Sequence, residues 1–106
     1  MSKYLFEACY TAEGVKGLLR DGGSGRRTAI EAMLKGVGGK LECLYFALGD
    51  VDVYLIADLP DNLSAAAVAL AVNQGGGATT KTVALMSVED VDQAAKKTVA
   101  YRAPGR

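Results

Sequence analysis

The chain has 106 residues, half of them hydrophobic, and its Lys and Arg total of 12 equals its Asp and Glu total. That length and apolar content fit one folded domain and exclude a disordered chain. Zero formal charge removes the electrostatic footprint of a nucleic-acid binder, and the absence of histidine removes His-based triads and His-ligated metals.

Residues 3–10, KYLFEACY, are rich in aromatic and apolar types and predict a first strand. Thr11 then caps a helix in which Val15, Leu18 and Leu19 recur at helical spacing. Asp21-Gly22-Gly23 predicts a break. Ser24 is the next N-cap candidate, for a segment carrying Ile30, Met33, Leu34 and Val37 and ended by Gly38-Gly39. Strands follow at 41–48 and 53–59, and the short connection Gly49-Asp50-Val51-Asp52 makes them a hairpin. An alanine-rich helix spans roughly 61–74 and stops at three glycines, 75–77, before a fourth strand at about 79–86. Ser87 and Asp90 have the spacing of a capping box for a last helix, about 88–97, and a tail runs from 98 to 106.

The order βαββαβ is that of an α+β, ferredoxin-like sandwich, a single domain over 1–106. Its four-stranded antiparallel sheet has the order 4-1-3-2, with two helices on one face. Cys9 falls on the first strand and Cys43 on the second, which the third separates. Next-nearest strands lie roughly 9–10 Å apart, beyond disulfide reach, so both cysteines read as small, free core residues. Both faces of the strands look apolar: Val53, Leu55 and Ala57 alternate with Tyr54 and Ile56, and 41–48 alternates similarly. Two helices cover one face only. The other is expected to meet the sheet of an identical subunit; the alternative is that the last helix folds over it.

Three short motifs carry a resemblance. Thr11-Ala-Glu-Gly14 follows the first strand, Gly38-Gly39-Lys40 precedes the second, and Gly-x-x-Asp at 49–52 forms the hairpin. Their order and spacing over about residues 3–97 resemble the GYD-domain family. The family's eponymous hairpin reads Gly-x-Tyr-Asp; Gly49 and Asp52 match, and Val51 stands at the tyrosine position. The resemblance implies a dimeric α/β barrel, in which two sheets face each other around a shared cavity.

Five places are candidates for chemistry. Glu7 sits mid-strand among Leu5, Phe6 and Ala8, where a carboxylate must be paired, solvated in a cavity or raised in pKa. Facing a cavity, it suits a general base beside Tyr45 or Tyr54; the plainer expectation is a cross-strand ion pair with Lys81. Ser24, Arg26 and Arg27, behind a glycine run at a helix start, suit a phosphate or carboxylate, against the plain reading of a surface bend. Asp50 and Asp52 form a D-x-D, a weak divalent-cation pattern; hydrogen bonding of Asp52 to backbone or partner is the stronger expectation, and no metal site is assigned. The run from Gly75 to Thr82 lacks the glycine that a P-loop places before its lysine, and it leads from helix to strand, the wrong polarity for nucleotide binding. Tyr4, Tyr10 and Tyr101 read as packing or interface aromatics.

The first ten residues lack the apolar core of a secretory leader, and the longest uncharged apolar run, residues 65–72, is far short of a membrane span. The expectation is a soluble cytoplasmic protein with reduced thiols, without cofactor, whose partner is itself. It binds a small ligand between subunits, or acts as a cofactor-free isomerase or monooxygenase using Glu7 and a tyrosine.

Overall fold

Alternation along the first strand sets the layering, since Tyr4 and Phe6 are buried while the alternate residues Leu5 and Glu7 stay half-exposed. The computed structural model describes residues 1–106 as β1 (Ser2–Tyr10), α1 (Ala12–Gly36), β2 (Lys40–Phe46), β3 (Val53–Leu59), α2 (Asn62–Gln74), β4 (Ala78–Ala84) and α3 (Val88–Ala95). The sheet runs β2-β3-β1-β4 with every pairing antiparallel, the ferredoxin-like order. β2 ends two residues earlier than its apolar pattern suggests, at Phe46, and β4 ends at Ala84. Tyr4, Phe6, Val53, Leu55, Ala57 and Leu59 point to one face, where Ile30 and Leu34 of α1 and Ala65 and Val68 of α2 complete the core. The Tyr4 hydroxyl, buried there, donates to Asn62 Oδ1 at 2.6 Å, so its polar tip carries no desolvation penalty.

Close contacts locate the helices. Thr11 caps α1, its hydroxyl accepting from the Gly14 N–H and donating to the Gly76 carbonyl, while its own N–H donates to Gly77. A Cβ at Gly14 would overlap the Gly77 carbonyl oxygen, so only glycine lets α1 start this close to the turn before β4. A Cβ at Gly39 would lie 2.5 Å from the Asp58 carbonyl oxygen, and the Gly39 N–H closes α1 on the Leu34 carbonyl. Asp61 caps α2 through Ser64, and Ser87 with Asp90 forms the reciprocal capping box of α3.

Two expectations change and one alternative falls. The break in α1 is one residue, Gly22 (φ 71°, ψ 170°), a conformation open to glycine, and the helix resumes at once. Ser24 therefore lies inside the helix rather than at an N-cap, and its carbonyl accepts the Thr28 hydroxyl at 3.1 Å. Next, β2 pairs with β3 through a bulge between Leu41 and Cys43. The extra residue, Glu42, switches parity, so Leu41, Leu44 and Phe46 share the helix-covered face while Cys43 and Tyr45 lie on the open one. Finally, α3 does not close over the open face. Leu85 still bonds to Lys3 of β1, but every residue from 86 to 102 is exposed. The radius of gyration is 17.0 Å, against about 13 Å for a compact chain of this length, and the long axis is 57 Å. α3 and the tail project from the body as an arm.

Candidate functional site

The open face of the sheet is ordered in rows by the strand register. Lys81, Glu7, Tyr54 and Tyr45 stand opposite one another in turn across β4, β1, β3 and β2. With strands about 4.8 Å apart, this row spans about 14 Å. Next to it lies an apolar row of Val83, Leu5, Ile56 and Cys43. A charged group follows: Lys3 stands opposite Asp58, and the bulge residue Glu42 reaches the same ammonium.

The first row joins three residues that the sequence nominates. Glu7 is directly across from Tyr54, which is directly across from Tyr45, so a carboxylate and two phenols share one face with no element above them. The register also sets Glu7 opposite Lys81, yet the two do not form an ion pair within 4.0 Å. Lys81 is exposed and its long side chain is solvated instead. Glu7 is left half-buried and without a salt-bridge partner.

The charged group is a feature that sequence reasoning misses. Asp58 is the molecule's one buried charged residue, and Lys3 Nζ donates to its Oδ1 at 2.8 Å and also to Glu42 Oε1. These hydrogen bonds, Asp58 first and then Glu42, hold the Lys3 ammonium above the usual lysine range. The available signal was a single carboxylate in the otherwise apolar run VYLIADL, which calls for a nearby cation.

The remaining candidates stand apart from these rows. Arg26 and Arg27 are adjacent on a helix and so point in different directions. Arg26, with its side chain 34% exposed, lies 3.9 Å from Asp21 and borders an apolar cavity of about 100 Å³ between the helices and the sheet; Arg27 faces solvent. The pair does not form a clamp, and Ser24 lies in the first turn of the helical segment that resumes after the Gly22 kink. Asp52 is committed to the hairpin: its Oδ2 accepts the Tyr10 N–H at 2.8 Å, its N–H donates to Ala8, and its carbonyl accepts from Ala47. Asp50 accepts the Cys9 thiol through its carbonyl at 3.1 Å. No three Cys, Asp or Glu side chains converge as metal ligands. Cys9 and Cys43 are free, on next-nearest strands and in different rows. No helix is long and apolar enough to cross a membrane.

Searches of curated proteins and of solved structures each returned no match. The sequence model of the GYD domain, in contrast, matches residues 4–95, from within β1 to the last residue of α3, and so includes every helix, the Lys81–Glu7–Tyr54–Tyr45 row and the apolar row, with Lys3 of the charged group just before it. The chain belongs to the GYD domain family.

Proposed function

We propose that this protein works as a cytoplasmic homo-oligomer, assembled sheet to sheet, that holds a small organic ligand between the two open faces. The observation that supports this is the composition of the open face. Its middle row is apolar, as an interface core requires, and the Lys81–Glu7–Tyr54–Tyr45 row beside it offers a cation, a carboxylate and two phenols. Enclosed by a second sheet, that row becomes the polar wall of an otherwise apolar cavity. The chemistry fits a compact ligand with an aromatic or alicyclic body and at least one hydroxyl or carbonyl group. Native mass spectrometry of gently purified protein tests the reading. A dimer or larger assembly carrying a reproducible extra mass supports it, and a monomer at micromolar concentration removes it.

The Glu7–Tyr54 juxtaposition favours a second reading, a cofactor-free enzyme of isomerase or monooxygenase type. In the isomerase form Glu7 takes a proton from the carbon beside a carbonyl, a tyrosine O–H supports the developing enolate oxygen, and Glu7 returns the proton to the conjugate carbon. Glu7→Gln separates the two. A binding protein keeps its ligand mass, whereas an enzyme retains its ligand and loses turnover by at least about 100-fold.

A further inference from the structure

We infer that α3 and the tail as far as Tyr101 form an exchanged arm that packs on a second copy of this chain. The inference rests on the self-association proposed above and assigns to the arm a share of that assembly. α3 is an eight-residue helix with a complete capping box, and none of its residues is buried. Isolated helices shorter than about 12–15 residues are marginal in water, so caps alone do not sustain it. Its apolar residues Val88, Val91 and Ala95 follow the i, i+3, i+7 spacing of a docking face, with Asp92 at its border and Glu89 and Asp90 elsewhere on the helix. Met86, Val88, Val91, Val99 and Tyr101 are 50–76% exposed, a concentration of large apolar side chains along one projecting segment.

The arm leaves its own sheet through a short joint and covers none of it. Leu85 is still hydrogen-bonded to β1 and Ser87 is already the N-cap, so Met86 alone lies between sheet and helix. Area then identifies the occupant. A folded chain of 11.0 kDa exposes about 5,600 Å², whereas this one exposes 7519 Å². The excess, about 1,900 Å² per chain, falls in the range that each partner buries in an obligate homodimer and exceeds the roughly 800 Å² of a standard interface. One chain supplies both an uncovered apolar row on its sheet and an uncovered apolar arm at the edge strand of that sheet. A two-fold operation covers both surfaces in both copies with no second protein. The helical part of the arm belongs to the family's domain, since the family match ends at the last residue of α3, and the tail from 96 to 101 lies beyond it.

Hydrogen exchange read by mass spectrometry on the full chain, along a concentration series whose assembly state is followed by sedimentation, tests the inference. The expected result is coil-like exchange of the α3 amides in dilute monomer, slowing at least about tenfold as the dimer forms. A dimer whose α3 amides still exchange as coil overturns the arm and leaves the sheet-to-sheet reading standing. Protection that is equally strong in monomer shows docking within one chain and also overturns it. A chain that stays monomeric up to about 1 mM overturns both readings. The double variant Val88→Glu, Val91→Glu adds acidic residues near the helix N-terminus, where they favour helix, while removing the apolar face. It is expected to raise the dimer dissociation constant at least about tenfold and leave the monomer's melting temperature unchanged. Unchanged affinity overturns the arm.

Discussion

Ile56→Glu puts a carboxylate in the middle of the apolar row and discriminates between a solvated and a covered open face. Ile56 pairs with Leu5 on one side and Cys43 on the other and is half-buried in the single chain. In the monomer the new side chain reaches water, so the cost is the lost apolar contact alone, about 1 kcal/mol. In a sheet-to-sheet dimer the two-fold brings two carboxylates into the interface. Taking about 2 kcal/mol for each desolvated ion, low in the range of several kcal/mol, the pair costs about 4 kcal/mol. That is nearly a thousandfold in the dissociation constant. Sedimentation velocity of both proteins from about 1 µM to 1 mM measures it, with thermal melts at the lowest concentration as the control for folding. A variant that assembles as tightly as the original while folding normally refutes the placement of the interface on this face.

Two other predictions concern the fold that positions the rows. Gly14→Ala is expected to destabilise by at least about 2 kcal/mol, because its methyl must displace the Gly77 carbonyl. Gly17→Ala, whose Cβ meets nothing nearer than Arg20 at 4.0 Å, is expected to raise stability by up to about 1 kcal/mol, and urea midpoints of the two should move in opposite directions. Asp61 is held below the ordinary carboxylate value of 3.8 by the hydrogen bonds it accepts from Ser64 as the α2 cap. Its contribution to stability is therefore complete above that value and disappears as pH falls through the lower folded-state value. Asp61→Asn keeps the cap, so its melting temperature should fall less on acidification than that of the original protein; parallel acid limbs would contradict the assignment.

Local chemistry made much of this fold readable. The caps at Thr11, Asp61 and Ser87, the hairpin at 49–52 and the glycine stop after Leu34 each involve residues within a few positions of one another, and sequence reasoning reaches them directly. Strand order followed, because right-handed crossovers leave few ways to fold βαββαβ. The bulge at Glu42 was invisible for a physical reason. In LECLYF both parities carry apolar residues, so a one-residue slip leaves the pattern unchanged, and only pairing with β3 reveals it. Lys3, Glu42 and Asp58 are far apart in the chain and meet only when β1, β2 and β3 are aligned. Glu7, Tyr54 and Tyr45 were nameable as types; their shared row is a product of register. The projecting arm depends on the one-residue joint after Leu85, which no periodicity encodes.

The motifs that mark the family and the residues suited to chemistry are different residues. Gly14 and Gly39 are where a side chain would strike a neighbouring backbone carbonyl, and Asp52 fastens the hairpin to Tyr10 and Ala8. Each of these is required by backbone geometry, whatever the protein binds. Asp52 makes its contacts through its own carboxylate and peptide groups, so the hairpin holds with Val51 in place of the family's tyrosine. What the motif residues accomplish is to fix β1, β3 and β4 in one register beneath the helices. That register in turn aligns Lys81, Glu7, Tyr54 and Tyr45, none of which belongs to a motif. Exchanging residues within this row therefore changes the chemistry of the open face and leaves the packing under the helices intact. A fold hosts many functions, so membership of the family specifies the frame, and the proposed ligand site rests on the row that the open face displays.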